Sequence, residues 1–228
     1  MRYYTNEDGR QFPSVTTVLD ATMGGDRQLR LMNALTHSNG LRRREEGRRR
    51  GNSLDAVCKA YLMGGVVPCM EHQHQMFFRK LQPVLDELRQ NCDAFDCDRA
   101  VFNERDGYAG TIDIIAYRNG EAMVIDLKTK YKAPTPEILA DHWLQVIAYG
   151  NALHSQGVAI AGIGLIISMT KSCELLTEIN PVVLDGYLAA WRDRLTMFLH
   201  PSLTEMKEPL EPDWEPMEKR GCDCGVDS

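Results

Sequence analysis

The 228-residue sequence has no run of eighteen apolar residues, so it predicts no transmembrane helix. Its amino terminus, MRYYTNEDGR, lacks the apolar stretch of a secretory signal, and we therefore expect a cytoplasmic protein. The seven cysteines are odd in number and irregularly spaced, which favours reduced thiols over a disulfide framework. The six histidines show no metal-ligand spacing, and Cys222 and Cys224 have too few potential partners nearby for a zinc site.

The net charge of −6 at first argues against a nucleic-acid partner. Residues 201–228, however, contain eight acidic and three basic side chains, so residues 1–200 carry only −1. Six arginines lie between Leu41 and Gly51, so the overall acidity does not exclude a phosphate-binding surface. We predict a single domain over residues 1–200, followed by an acidic tail over 201–228. The tail could solvate the protein, cover a basic groove by mimicking DNA, or bind a basic partner.

Hydrophobic periodicity predicts an α/β (α+β) domain in which helices flank a small mixed central sheet. The Asn119-Gly120 pair, which lies between two predicted strands, is typical of a β-hairpin turn. After an N-terminal hairpin over 2–11, a first helix is predicted to begin near Ser14. Five further helices are predicted over 27–36, 41–63, 71–91, 136–155 and 181–199. The predicted strands cover 100–102, 108–117, 122–129 and 158–168.

Three charged side chains interrupt the apolar strands of the predicted hairpin: Asp113 in the first strand, and Asp126 and Lys128 in the second. Strand residues two apart face the same side of a sheet, so Asp126 and Lys128 should point together. If the strands are in register, Asp113 joins them on one patch. Two carboxylates this close repel each other unless a cation neutralises them.

Carboxylate oxygens select hard cations, so Mg²⁺ or Mn²⁺ is the natural ligand of such a patch. A metal held there can polarise a phosphodiester and lower the pKa of bound water, while Lys128 orients the water or steadies the developing charge. The plain alternative is a weak, solvated surface pair of aspartate and lysine. Gly107 and Gly110 lie just before Asp113, where they permit close approach of a ligand or mark a bulge.

The strings GYAGTIDIIAY and GEAMVIDLKTK resemble the core of the PD-(D/E)XK nuclease superfamily, in particular its RecB-like exonuclease branch. Other segments resemble further motifs of this family and occur in the same order along the chain. The FPSVTTVL string from Phe12 resembles the opening of mitochondrial genome maintenance exonucleases and their phage and bacterial relatives. The string from Gln145 to Tyr149 resembles a Gln-x-x-x-Tyr motif, and RGNSLD from Arg50 resembles a Gly-x-x-x-His motif.

The resemblance implies a restriction-endonuclease-like core in which Asp113 and Asp126 bind metal and Lys128 assists catalysis. It also implies that Glu104 contributes as an acidic residue, binding metal directly or through water. Gln145 and Tyr149 would lie near the active site or the DNA strand, although Tyr149 could equally be a core residue with a satisfied hydroxyl. The PSVT segment extends the implied nucleic-acid-binding set to Ser14 and Thr16.

Asp55 departs from the family pattern, because RecB-like enzymes usually have a metal-binding histidine at this place. Aspartate is also a hard oxygen ligand, so Asp55 could complete the metal site. It could equally be a solvated helix residue, in which case one ligand is lost.

The arginine run offers a second candidate surface. Arg48, Arg49 and Arg50 could gather a DNA backbone near the catalytic patch, or they could belong to a solvated helix that pairs with Glu45 and Glu46. The expected function is a Mg²⁺- or Mn²⁺-dependent DNA exonuclease acting on single strands or duplex ends. The alternatives are a catalytically impaired nucleic-acid-binding module of the same fold and a structural or partner-binding protein.

Overall fold

The computed structural model describes residues 1–36 and 39–201, and the predicted acidic tail lies outside these residues except for Pro201. The described residues form seven strands and six helices. In chain order these are β1 (Tyr3–Thr5), β2 (Gln11–Pro13), α1 (Val15–Ala21), α2 (Gly25–Thr36), α3 (Gly40–Leu62), α4 (His72–Asn91), β3 (Ala94–Asn103), β4 (Tyr108–Arg118), β5 (Glu121–Lys130), α5 (Pro136–Ser155), β6 (Ile160–Met169), β7 (Cys173–Glu178) and α6 (Pro181–Leu199).

A five-stranded mixed sheet, in the order β3-β4-β5-β6-β7, forms the centre of the domain. Its neighbouring strands are antiparallel except for β5 and β6, which run parallel and are joined by the crossover helix α5. The prediction of a mixed α+β domain with a small central sheet is therefore confirmed. The two-stranded hairpin β1-β2 lies apart from this sheet and leads into α1.

Helices cover both faces of the sheet, which explains the near-continuous apolar run of β6. One core combines β4, β5 and β6 with α1, α5 and α6, and it contains the fully buried Trp143 and Trp191. The other core lies between the sheet and helices α3 and α4, where Leu81 and Leu85 are fully buried. Any charged side chain on β4 or β5 must therefore lie in a protein interior or at its edge.

The β4-β5 hairpin turns as its sequence predicts. Asn119 and Gly120 have φ angles of 53° and 82°, and Arg118 pairs with Glu121 across the turn. Both positive angles match a two-residue type I′ turn, which asparagine and glycine tolerate best. This turn fixes the register that carries the polar residues of the two strands.

Two sequence expectations differ from the structure. Strand β3 covers ten residues rather than 100–102, and β7 was not predicted. Both are edge strands with many half-exposed positions, so neither has a clear apolar period. Pro83 lies inside the continuous helix α4.

Two further features bear on earlier expectations. The five cysteines within the described residues are free thiols. No helix within the described part of the chain is long and apolar enough to cross a membrane.

Candidate active site

The candidate site begins where the ladder between β4 and β5 ends. The strands pair from Arg118–Glu121 to Ile114–Ile125. Asp113 comes next on β4, and its Oδ2 accepts a hydrogen bond from the Leu127 amide at 3.0 Å. A side-chain carboxylate therefore satisfies a backbone N–H at the point where the strands separate.

A second irregularity lies on the other side of Asp113. The β3-β4 ladder pairs Cys97 with Ile114 and Arg99 with Ile112 but omits the pair between them, Asp98 and Asp113. Asp98 has a φ of 56°, which is uncommon for a residue other than glycine. The sheet is thus distorted locally on both sides of Asp113.

The distortion changes which face of the sheet the β4 side chains meet. Ile112 and Ile115 both pack into the core beneath α5, although residues three apart on a regular strand face opposite sides. Ile114, two residues from Ile112, packs into the opposite core with α4. The alternation therefore shifts at Asp113, which leaves its carboxylate free to contact the backbone of β5.

Asp126 and Lys128 lie on the same face of β5, as the strand period predicts. Lys128 Nζ donates to Asp126 Oδ1 at 2.9 Å and lies 2.8 Å from Oδ2. Asp126 is only 1% exposed, and its buried Oδ2 accepts no hydrogen bond from the described residues. Within the described residues Oδ2 is therefore compensated by the Lys128 ammonium and by no hydrogen bond, so a further cationic partner could share this atom.

The electrostatics of Asp113 link it to this pair. Burial, followed by the charge of Asp126, raises the pKa of Asp113 to about 7, although the Lys128 ammonium and the Leu127 amide oppose the rise. Asp113 is therefore only partly ionised at neutral pH in the absence of a bound cation. A divalent cation can replace the proton of Asp113, because it favours the ionised form of a carboxyl.

Asp55 on α3 lies within the same electrostatic environment. Burial is the largest cause that raises its pKa, and the charges of Asp98 and Asp126 add to the rise. Lys59, one turn later, opposes it because Nζ lies 2.5 Å from Asp55 Oδ2 and 2.5 Å from Asp98 Oδ1. Asp55 is thus a half-buried member of an ionic cluster and not a simply solvated helix residue.

The donor chemistry of these carboxyls fits a hard divalent cation. Asp113 and Asp126 would hold it, because both are oxygen donors removed from solvent, Asp126 fully and Asp113 in part, and the pKa of Asp113 is raised by burial and by the charge of Asp126. As the side chains stand, no group of three or more histidine, cysteine, aspartate or glutamate residues in the described ranges is arranged to hold a metal ion. The lysines Lys59 and Lys128 instead provide the counter-charge.

Glu104 does not lie with the other predicted ligands. It is exposed in the turn between β3 and β4, where its Oε1 accepts a hydrogen bond from Asn6 Nδ2 at 2.8 Å. Five residues of extended strand, about 17 Å, separate Tyr108 at the end of this turn from Asp113. This placement gives no support to the expectation that Glu104 binds the metal.

Gln145 and Tyr149 meet on α5, as their spacing of four predicts. Gln145 Nε2 donates to Tyr149 Oη at 3.0 Å, and both side chains are buried. The negative charges of Asp126 and Asp113 add to burial in raising the pKa of Tyr149. The pair therefore lies close to the carboxylates, but within the core.

Gly110 has a clear packing role. A Cβ added there would lie 2.3 Å from Cε1 of Tyr149. The glycine therefore admits the ring of Tyr149, where the sequence suggested close approach of a ligand or a bulge.

Arg48 and Arg49 are exposed and paired with acids. Arg48 Nη2 lies 2.6 Å from Glu45, and Arg49 Nη2 lies 2.5 Å from Glu71. The contact of Arg48 matches the predicted pairing with Glu45, whereas Arg49 pairs with Glu71 at the start of α4 and not with Glu45 or Glu46. The predicted role of both arginines in DNA binding stays a prediction.

Arg50 differs from its neighbours because it is only 4% exposed. Its guanidinium carbon lies 4.0 Å from the ring centre of Tyr131 and 5.0 Å from that of Phe77. Its buried Nε and Nη1 have no hydrogen-bond partner among the described residues.

Ser14 and Thr16 lie at the start of α1. Ser14 caps the helix by accepting from the Thr17 amide at 3.0 Å, and it is buried. Thr16 is exposed and lies within 3.0 Å of the Ser14 hydroxyl. Helix capping accounts for Ser14, and a role of either residue in DNA binding stays a prediction.

Sequence reasoning missed four residues around the site: Lys59, Asp98, Lys130 and His142. The spacing of four between Asp55 and Lys59 signals a helical ion pair, and Lys130 extends the alternation of Asp126 and Lys128. Nothing in the sequence marks Asp98, because its position opposite Asp113 depends on the register of β3.

No protein-family model and no curated protein matches this chain. A solved structure of the protein SSO0001 is similar, with a TM-score of 0.33 and 15% sequence identity. The match covers 60% of this chain and 61% of the SSO0001 chain, so it spans less than two thirds of the length of SSO0001. A likeness at this TM-score adds no argument about function.

Proposed function

We propose that the protein is a Mg²⁺- or Mn²⁺-dependent deoxyribonuclease that hydrolyses phosphodiester bonds. The observation that carries the proposal is the buried carboxylate of Asp126, which is ion-paired with Lys128 and lies beside the half-buried carboxyl of Asp113. The resemblance of both strands to the PD-(D/E)XK core supports the same chemistry. The preference for single strands or DNA ends, and hence exonuclease action, rests on the RecB-like resemblance alone.

The proposed division of labour follows from the positions of the three side chains. When bound by Asp113 and Asp126, the cation supplies Lewis acidity toward the phosphodiester and lowers the pKa of water. Asp113 is held by the Leu127 amide and Asp126 by Lys128, so both carboxylates have fixed orientations. The Lys128 ammonium provides positive charge where the phosphate gains negative charge in the transition state.

Asp55 is proposed as an accessory acidic residue on the helical side of the site. Its carboxylate is held by Lys59, so it takes part in cation binding only if that contact opens or is shared. A third carboxylate near Asp113 and Asp126 strengthens the preference for a hard cation of high charge.

Degradation of end-labelled single-stranded DNA in Mn²⁺ tests the proposal. We expect the wild-type protein to degrade it and the Lys128→Ala variant to lose at least about a hundredfold in rate, equivalent to about 2.7 kcal/mol. The matched control is Lys80→Ala, because Lys80 is exposed on α4 at the other face of the sheet. Equal rates for the wild-type protein and Lys128→Ala would contradict the proposal.

A second candidate function is a nucleic-acid-binding module that has lost catalysis. Two observations favour it: Asp55 stands where the related enzymes usually have histidine, and Lys59 occupies its carboxylate. In that case both the wild-type protein and Lys128→Ala bind DNA in a salt-sensitive manner, and neither degrades it in Mn²⁺ or Mg²⁺.

A further inference from the structure

Helix α3 joins the candidate site to the arginine-rich part of the chain. Its later turns carry Asp55 and Lys59, which form an ion pair. Lys59 also contacts Asp98, which lies opposite Asp113 where the β3-β4 ladder omits a pair. The earlier turns of the same helix carry all six arginines of the run. One continuous helix of 23 residues therefore leads from a cationic segment to the carboxylates.

The helix passes the carboxyl end of β5 in the direction opposite to the strand. At Gly51 the two elements are close, because an added Cβ would lie 3.7 Å from Oγ1 of Thr129. The Arg50 guanidinium packs on the ring of Tyr131, the residue that follows β5. The Tyr131 hydroxyl donates to Glu46 at 2.6 Å. These contacts fix the position of α3, whose turns before Glu46 continue beyond the end of the strand.

Two of the arginines lie on the same face of α3 as Asp55. Arg48 precedes Asp55 by seven residues and Arg44 precedes it by eleven, which are close to two and three full turns of an α-helix. At 1.5 Å per residue, Arg48 and Arg44 lie about 10 Å and about 16 Å from Asp55 along the helix axis. Arg42 is only two residues from Arg44, so it lies on nearly the opposite side of the helix.

The two arginines on this face are available to an external anion. Arg44 is exposed and forms no ion pair within residues 1–36 and 39–201. Arg48 is paired with Glu45, but the two side chains are 62% and 55% exposed, so the pair is weak and a stronger acceptor can replace it. The face that leads to Asp55 thus offers one unpaired guanidinium and one that is weakly held.

A nucleic-acid strand matches such a face in charge and in length. Guanidinium groups bind phosphate oxygens through charge-assisted hydrogen bonds, which are often bidentate. Phosphates of one strand of duplex DNA follow each other every 3.4 Å or so along the axis, so a length of about 16 Å corresponds to about five nucleotides. A strand that has one phosphate at the carboxylates can therefore reach both arginines.

We propose that the face of α3 that carries Arg44 and Arg48 guides the DNA strand to the carboxylates by binding backbone phosphates a few nucleotides from the scissile one. The inference deepens the proposed function and rests on it for the identity of the strand. Arg44 and Arg48 are positioning residues in this scheme, because neither lies at the reacting atoms. Arg50 has a different role, since it is buried and holds the helix against Tyr131.

The test is DNA binding in EDTA, so that it does not depend on cleavage. Fluorescence anisotropy with a labelled single-stranded oligonucleotide is measured over a range of salt concentrations. For Arg44→Gln we expect weaker binding and a plot of log K against log salt that is shallower by about 0.7, the change expected for one lost phosphate contact. The matched control is Arg42→Gln, which removes the same charge from an exposed position on the other side of the same helix and should leave the slope unchanged.

A second variant tests Arg48 by a gain of binding. Glu45→Gln removes the carboxylate that competes with phosphate for Arg48, so we expect binding to tighten by about two- to fivefold, the range of one exposed ion pair. Glu87→Gln removes the same charge from an exposed position on α4 and should leave the affinity unchanged. All four substituted side chains are exposed, so thermal denaturation should give the midpoint of the wild-type protein for each variant.

The outcomes distinguish this inference from the proposed function. If the wild-type protein degrades DNA but Arg44→Gln and Arg42→Gln have the same salt slope, the guiding face is wrong and the nuclease assignment stands. If the slope depends on Arg44 and not on Arg42 but no cleavage occurs with Mn²⁺ or Mg²⁺, the guiding face stands and the nuclease assignment fails. Absence of salt-dependent DNA binding by the wild-type protein overturns the guiding face.

Discussion

The raised pKa of Asp113 makes a quantitative prediction about stability. The pKa is about 7 in the folded protein against an ordinary value of 3.8. Between these values the folded state binds a proton that the unfolded state has released, so stability falls as the pH rises. Each pH unit costs about 1.4 kcal/mol, and the cost reaches about 4 kcal/mol above pH 7, as an order-of-magnitude upper value.

The perturbation that tests this cost is Asp113→Asn, which keeps the size of the side chain and an acceptor for the Leu127 amide. Urea denaturation in EDTA at pH 5 and pH 8 measures the free energy of unfolding. Between pH 5 and pH 8 we expect the stability of the variant relative to the wild-type protein to rise by about 2–3 kcal/mol. The gain arises because asparagine needs no proton and adds no charge beside Asp126.

Asp193→Asn is the matched control, since Asp193 is exposed on α6 and its substitution removes the same formal charge. The difference between this control and the wild-type protein should be the same at both pH values. The reasoning is refuted if Asp113→Asn differs from the wild-type protein by the same free energy at pH 5 and pH 8, or if it is relatively less stable at pH 8.

Two further substitutions test the packing and the ionic cluster around the site. Gly110→Ala places a Cβ 2.3 Å from the Tyr149 ring, so we expect the free energy of unfolding in urea to fall by about 1–3 kcal/mol. The control Gly186→Ala in α6 meets nothing within 4 Å and should raise that free energy by up to about 1 kcal/mol. Equal effects of the two substitutions would contradict the packing role of Gly110. Lys59→Met removes the ammonium that pairs with both Asp55 and Asp98, and it should lower the free energy of unfolding in EDTA by about 1–2 kcal/mol. The cost should shrink in an Asp55→Asn background, and an undiminished cost would show that the ion pair contributes nothing.

The sequence was sufficient to predict the hairpin at the centre of the fold. An Asn-Gly turn sets the register, and alternation along β5 places Asp126 and Lys128 on one face. These are local rules, and the structure follows them: Lys128 contacts Asp126, and Asn119 adopts a positive φ. The prediction that these side chains act in catalysis stays a prediction.

Features that depend on contacts distant in sequence were missed. Strand β7 pairs with β6, and Asp98 contacts Lys59 at the place where the β3-β4 ladder omits the pair between Asp98 and Asp113. Glu104 also depends on distant contacts: its type and order suited a ligand, but the length of β4 lies between its turn and Asp113, so its predicted role gains no support. The arginine run likewise gave no indication that Arg50 is buried while its neighbours are exposed.

The central claim is that Asp113 and Asp126 together bind a divalent cation. Isothermal titration calorimetry, in which Mn²⁺ is added to the metal-free protein, tests this claim most directly. We predict saturable binding to the wild-type protein and to Asp193→Asn, and at least tenfold weaker binding to Asp126→Asn, which is about 1.4 kcal/mol. Equal Mn²⁺ affinity for all three proteins, or no binding by the wild-type protein, would contradict the account.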